Sequence, residues 1–209
     1  MEISYLEEIK RKGVHLSSLW MVAATLLLGK WQWISCLLFF LLLLLTLVSE
    51  HDYANGGKYL GRLYGFLFGK MLRNEVKKGQ WIVSGGAPVL AAALMVNLLF
   101  VPVIAASSLA VMLTGDAAAA LVGRKFGRHK LVNGKSLEGT LSFVAAGFLA
   151  MSTVLFLSGC RGAQFYLWGL VSVIAGALAE LFQKQLKLDD NFTIPLSCGI
   201  VLHLAFYVF

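Results

Sequence analysis

Residues 114–139 read TGDAAAALVGRKFGRHKLVNGKSLEG. The stretch opens inside an apolar run, with Asp116 between Gly115 and four alanines. It leaves that run through Gly123-Arg124-Lys125 and Gly127-Arg128, then closes on Gly134-Lys135-Ser136 and Glu138-Gly139 before the next apolar run. A basic loop between two membrane helices is on its own a cytoplasmic connector that follows the positive-inside bias. Asp116 changes that reading. An acid near a helix centre costs about 2.5–3.5 kcal/mol on insertion scales, so it needs a partner or a task. An acid, spaced glycines and five Lys/Arg together suit a metal-bound ligand that carries a polyphosphate. Carboxylates hold a divalent cation, basic side chains hold phosphates, and glycine lets backbone N–H groups come close.

Working outward, the 209 residues are 58% hydrophobic and only 14% charged, with long runs such as 36–48. This composition predicts an all-α fold, a polytopic membrane helix bundle formed as one integral domain over 1–209. The net charge of +7 follows from the loops, so no nucleic-acid partner is inferred. The opening MEISYLEEIKRKG carries acids and lacks an A-x-A site, so no cleavable signal peptide is expected. Cys36, Cys160 and Cys198 have neither CxxC nor Cys/His spacing, so neither disulfides nor zinc are implied. His51-Asp52 is too isolated to form a ligand set.

Residues 2–13 read as a polar, amphipathic lead-in helix with Ile3, Leu6 and Ile9 on one side. Glu8 and Lys12 stand four apart, as do Arg11 and His15, and so share neighbouring faces. About seven transmembrane helices follow, at 14–29, 32–48, 81–100, 102–122, 140–158, 164–182 and 193–209. Lys30, Trp31 and Trp33 make an interfacial turn. Between the second and third spans, Gly57, Gly61, Gly65 and Gly69 recur every four residues among Lys58, Arg62, Lys70, Arg73, Lys77 and Lys78. That pattern predicts an amphipathic interfacial helix with a smooth packing stripe, used within one chain or in a homo-oligomer. With the N-terminus inside, sixteen of the eighteen Lys/Arg fall on inner segments, and only Lys30 and Arg161 lie outside. The expected topology is therefore N-terminus cytoplasmic and C-terminus outside. All eleven acids lie in or beside the same inner segments, whereas a carrier more often strings polar groups through the midplane.

A second acidic segment, 180–195, reads ELFQKQLKLDDNFTIP. Asp189-Asp190-Asn191 before a helix start suits either Mg²⁺, held partly through waters, or capping of the next helix. Asn191-Phe192-Thr193 fits a glycosylation sequon but falls on the expected cytoplasmic side. Gly134-Lys135-Ser136 resembles the end of a P-loop, yet His129 stands where that motif needs glycine and no strand precedes it. Arg11, Lys12 and His15 suit phosphate contact, proton transfer, or simple anchoring of the first helix.

These residues resemble the CTP-dependent lipid-alcohol kinases, a group that takes in dolichol kinase, phytol kinase, CTP-dependent diacylglycerol kinase and small bacterial relatives. The pattern is Asp116, Ala119, Gly123, Gly127 and Lys135-Ser136-Leu137-Glu138-Gly139. Arg11-Lys12-x-x-His15 and Asp189-Asp190-Asn191-x-x-x-Pro195 also look like features of that group. One departure is Gly134, where several eukaryotic members have another lysine. The resemblance implies transfer of the γ-phosphate of CTP to a membrane alcohol (a polyprenol, a phytol-like prenol or diacylglycerol) at the cytoplasmic face of a bacterial inner membrane. It implies Mg²⁺ or another divalent cation on Asp116, Asp189, Asp190 and Glu180. It also implies nucleotide contacts from Gly123, Arg124, Gly127, Arg128, Gly134, Lys135, Ser136 and Gly139, with Arg11, Lys12 and His15 beside them. Asp116, Lys135 and Glu138 are the expected catalytic set, with Glu138 or Asp116 orienting the alcohol. A more distant likeness to enzymes that make CDP-diacylglycerol keeps cytidylyl transfer to phosphatidate as the alternative, with a non-enzymatic carrier behind it.

Overall fold

The computed structural model describes residues 5–57, 60–68 and 86–208. The regular secondary structure among them is helical. Helix α1 covers Tyr5–Ser17, α2 Trp20–Leu27, α3 Gln32–Ala54, α4 Leu60–Phe68 and α5 Gly86–Leu99. They are followed by α6 Pro102–Phe126, α7 Leu137–Leu157, α8 Ala163–Leu181, the single turn α9 Gln183–Leu186, and α10 Asp190–Val208.

Among the described residues, four helical segments are long and apolar enough to cross a membrane: Gly29–Ala54, Pro102–Phe126, Leu137–Leu157 and Ala163–Leu181. The other expected spans differ in informative ways. The run at 14–29 is broken into α1 and α2, where the Ser17 hydroxyl donates to the Val14 carbonyl at 2.6 Å and the Ser18 N–H to the His15 carbonyl at 3.1 Å. A serine pair that offers the backbone this local alternative breaks a helix without proline. The run at 81–100 is described only as α5, which is shorter than a span, and 81–85 lie outside the described residues. The last helix begins at Asp190, so Pro195 lies within it rather than at its start.

Helix α6 is the axis of the bundle. It packs against α1, α2, α5, α7, α8 and α10, and alanine, serine and glycine along it let all of them approach. The core around it includes Phe39, Ile104, Leu109, Met112, Phe143 and Ile194, all fully buried. Polar side chains join the helices where packing alone would leave them free to slide. Gln32 Nε2 donates to the Asn97 and Phe100 carbonyls at 2.6 and 2.5 Å, tying the start of α3 to the end of α5. Ser172 Oγ donates to the Cys198 carbonyl at 2.8 Å, tying α8 to α10.

The glycine stripe packs within the chain where it is described. A Cβ on Gly61 would lie 2.6 Å from the Tyr53 nitrogen, and one on Gly65 would lie 2.3 Å from Tyr53 Cε2, so α4 seats directly on the end of α3. Asp52 caps that junction, accepting the Gly61 N–H at 2.7 Å. Lys58, Gly69, Lys70, Arg73, Lys77 and Lys78 lie outside the described residues.

Candidate active site

Asp116 sits buried on α6, about three turns from its end. Its Oδ2 lies 2.5 Å from Lys12 Nζ and 3.4 Å from His15 Nε2. These are the partners that an intramembrane acid requires, presented together because residues three apart share a helix face. One turn earlier on α1, Glu8 is also buried. Its carboxylate pairs with Arg11 Nη2 at 2.5 Å and with Arg124 Nη1 of α6 at 3.5 Å. Glu8 and Lys12 are the buried residues of α1, whereas Leu6, Ile9 and Val14 are exposed. The helix thus turns its charged face inward and its apolar face outward.

Beyond α6 the chain folds back into a tight loop. The Leu131 N–H donates to the Lys135 carbonyl at 2.8 Å and the Leu137 N–H to the His129 carbonyl at 2.9 Å. Asn133 (φ 61°) and Gly134 (φ 78°) are both left-handed at its tip; Asn and Gly are the residues that adopt this conformation most readily. The Asn133 amide donates to the Leu181 carbonyl at 2.8 Å and to Gln185 Oε1 at 2.6 Å, anchoring the loop to the end of α8 and to α9. Ser136 caps α7, its hydroxyl accepting the Gly139 N–H at 3.2 Å. Glu138 Oε2 accepts the Arg128 N–H at 3.1 Å, and Oε1 lies 2.8 Å from His129 Nδ1. Glu138 therefore clamps the base of the loop.

The loop, α6, α7 and α8 enclose a cavity of ≈ 270 Å³, a little below the ~300–1,000 Å³ of ligand-sized pockets. Arg124 lines it from α6, Lys130, Gly134 and Lys135 from the loop, and Glu180 from α8. Ala119, Ala120, Gly123, Ser136, Gly139 and Thr140 complete the wall. Lys135 pairs with the buried Glu180. Arginine and two lysines converging on one concave site suit an anion with several oxygens, the geometry that phosphate groups provide.

The glycines divide between two tasks. A Cβ on Gly139 would lie 3.0 Å from the Ala119 carbonyl and 3.2 Å from Gly123 Cα, so this pair brings the α6 and α7 backbones together. Gly127 closes α6, and a Cβ there would strike the Gly123 carbonyl at 2.1 Å. At Gly134 a Cβ would meet nothing within 4 Å, and this glycine leaves the loop backbone open to the cavity.

The second acidic segment splits. Asp189 Oδ1 accepts the Asn191 N–H at 2.9 Å and so caps α10. Asp190 is half-buried and is pushed up to about 6, first by loss of water and then by the negative charges of Asp116 and Asp189. Asp190 thus lies within electrostatic reach of Asp116, Lys12 and Lys135. Among the described residues no three His, Cys, Asp or Glu side chains converge on one point. Oxygen donors few in number still fit Mg²⁺, which keeps several waters and takes one or two carboxylates plus substrate phosphates.

The expected site residues therefore fall into a cavity group (Gly123, Arg124, Gly134, Lys135, Ser136, Gly139 and Glu180) and an adjoining carboxylate group (Asp116 and Asp190, with Lys12 and His15). Arg128 is exposed and does not line the cavity; its backbone N–H serves the Glu138 clamp. Three residues were missed as site residues from sequence: Glu8, Lys130 and Asn133. Glu8 carried a signal in its spacing from Lys12, and Lys130 as one of the five basic residues of 114–139.

The chain is 28% identical over 193 residues to an uncharacterised protein of Rickettsia prowazekii, covering 91% of this chain and 90% of that one. It is 39% identical over 110 residues to phytol kinase of Synechocystis, covering 51% of this chain and 46% of that protein. It is 35% identical over 99 residues to a chloroplastic farnesol kinase of Arabidopsis thaliana, covering 44% and 32% respectively. The chain thus spans less than half the length of these two kinases. No family model matches it, and no solved structure does either.

Proposed function

We propose that this chain is a membrane kinase that transfers the γ-phosphate of CTP to the hydroxyl of a prenol-type lipid alcohol. The observation that carries the reading is the meeting of Arg124, Lys130 and Lys135 around one cavity, one wall of which is α6, the helix that also carries the buried Asp116. The phytol and farnesol kinases among its relatives support the acceptor class.

Phosphoryl transfer asks little covalent chemistry of a protein and depends on in-line positioning and neutralised charge. Lys135 exchanges its contact with Glu180 for a phosphate oxygen, and Arg124 and Lys130 neutralise the remaining phosphates. Asp116 and Asp190 would hold Mg²⁺, with Lys12 and His15 beside Asp116, and the cation would supply positive charge to the transferring phosphoryl group. Glu138 holds the loop in shape, which leaves Asp116 to orient the alcohol. The chain crosses a bacterial inner membrane seven times with its N-terminus and its site cytoplasmic, so the nucleotide arrives from water and the lipid from the bilayer.

Purified protein offered phytol, farnesol, a long polyprenol and diacylglycerol, each with CTP or ATP and Mg²⁺, tests this reading. Phosphorylation of prenols with CTP is expected. Phosphorylation of diacylglycerol alone would overturn the acceptor class, and turnover with ATP alone would overturn the donor.

A further inference from the structure

Glu8 stands outside the cavity, is buried in the seam between α1 and α6, and pairs with two cations at once. Its Oε1 lies 2.5 Å from Arg11 Nη2 and its Oε2 lies 3.5 Å from Arg124 Nη1. Helix α1 runs antiparallel to α6 with charges matched across the seam, Glu8 opposite Arg124 and Lys12 opposite Asp116. Two guanidinium groups repel each other unless a carboxylate stands between them. A buried carboxylate that accepts from Arg11 and stands at ion-pair distance from Arg124 draws both guanidinium groups to one side of α1. Arg124 is a cavity wall, whereas Glu8 is not.

We propose that Glu8 is the positioning residue of the phosphate site. It holds Arg124, with Arg11 beside it, aimed at the polyphosphate of the bound nucleotide, and so links the N-terminal helix to nucleotide affinity. The inference rests on the kinase reading given above. Glu8 touches no substrate and acts through Arg124. Its loss therefore raises the nucleotide KM more than it lowers kcat, and leaves the lipid KM where it was.

The test uses the full chain in detergent and measures CTP binding and tripolyphosphate binding by calorimetry, separately from turnover. Variants are Glu8→Gln, Arg124→Gln and the two combined. We expect Glu8→Gln to weaken both ligands by roughly tenfold, the loss typical when an outer partner of a ligating group is removed. The combined variant should be no weaker than Arg124→Gln alone, because the two residues act as one unit. Glu8→Asp, which keeps the charge, should recover part of the affinity. Glu8→Gln with unchanged affinity, or additive losses in the combined variant, would overturn the assignment. Should Glu8→Gln prove too unstable to purify, Arg11→Gln is measured instead, with a smaller loss expected and an unchanged affinity counting against it. Wild-type protein that bound neither ligand would sink the kinase reading itself, a result distinct from failure of the Glu8 inference.

Discussion

Asp116 is the residue whose position in an apolar helix demanded explanation, and the demand was legible because burying an unpartnered carboxylate is expensive. Its partners were less legible: Lys12 lies 104 residues away, and nothing local in either segment announces the pairing. The pairing also alters what a substitution does. Asp116→Asn leaves Lys12 buried opposite a neutral amide, a change that costs about 3 kcal/mol or more in comparable buried pairs. We expect it to abolish turnover and to lower the melting temperature. Adding Lys12→Met should restore the melting temperature without restoring turnover; recovered activity in the double variant would remove Asp116 from the chemistry. Asp190 gives a pH prediction. Its carboxyl is pushed up from 3.8 to about 6 by burial and by neighbouring carboxylates, so the folded chain holds that proton more tightly than the unfolded chain. This contribution to stability is full below the ordinary value and is lost as pH rises through about 6. A cation needs the ionised form, so the Mg²⁺ concentration for half-maximal turnover should fall as pH rises through the same range. A pH-independent Mg²⁺ requirement would take Asp190 out of the cation site.

At the scale of helices and loops, hydrophobic runs gave the positions of α3, α6, α7 and α8 closely, because apolar length dominates in a bilayer. The break between α1 and α2 was not visible, since serine pairs sit in many unbroken helices and only the local hydrogen bonds distinguish this one. The glycines of the 114–139 segment were readable as close-approach sites, but not what approaches. At Gly134 a Cβ would meet open space, while Gly123 and Gly139 line the cavity and also face each other across the α6–α7 contact. Gly139→Val should therefore push α7 from α6 and disturb the cavity wall, costing about 1–3 kcal/mol as overpacked sites do. We expect a lower melting temperature together with weaker nucleotide binding. A fall in nucleotide affinity with no change in melting temperature would assign Gly139 to phosphate contact instead.

Across the whole molecule, the distribution of charge was the most legible feature. The end of α6, the start of α7, the end of α8 and the start of α10 meet at one end of the bundle, together with the charged face of α1. What the sequence did not reveal is that α1 joins the site through ion pairs rather than apolar packing, because its outward apolar side is the one that hydrophobic periodicity picks out. The orientation we propose rests on the Lys/Arg count and is tested by labelling. In a background lacking Cys36, Cys160 and Cys198, a membrane-impermeant thiol reagent should reach Lys130→Cys only from the cytoplasmic side and Arg161→Cys only from outside. The reverse pattern would invert the topology.

These converging cations and carboxylates are proposed to form one phosphoryl-transfer site. The most direct measurement supplies the purified protein with a prenol, Mg²⁺ and CTP labelled either at the α- or at the γ-phosphorus. Label reaching the lipid from the γ position alone is the expected result, and label arriving from the α position would contradict the account.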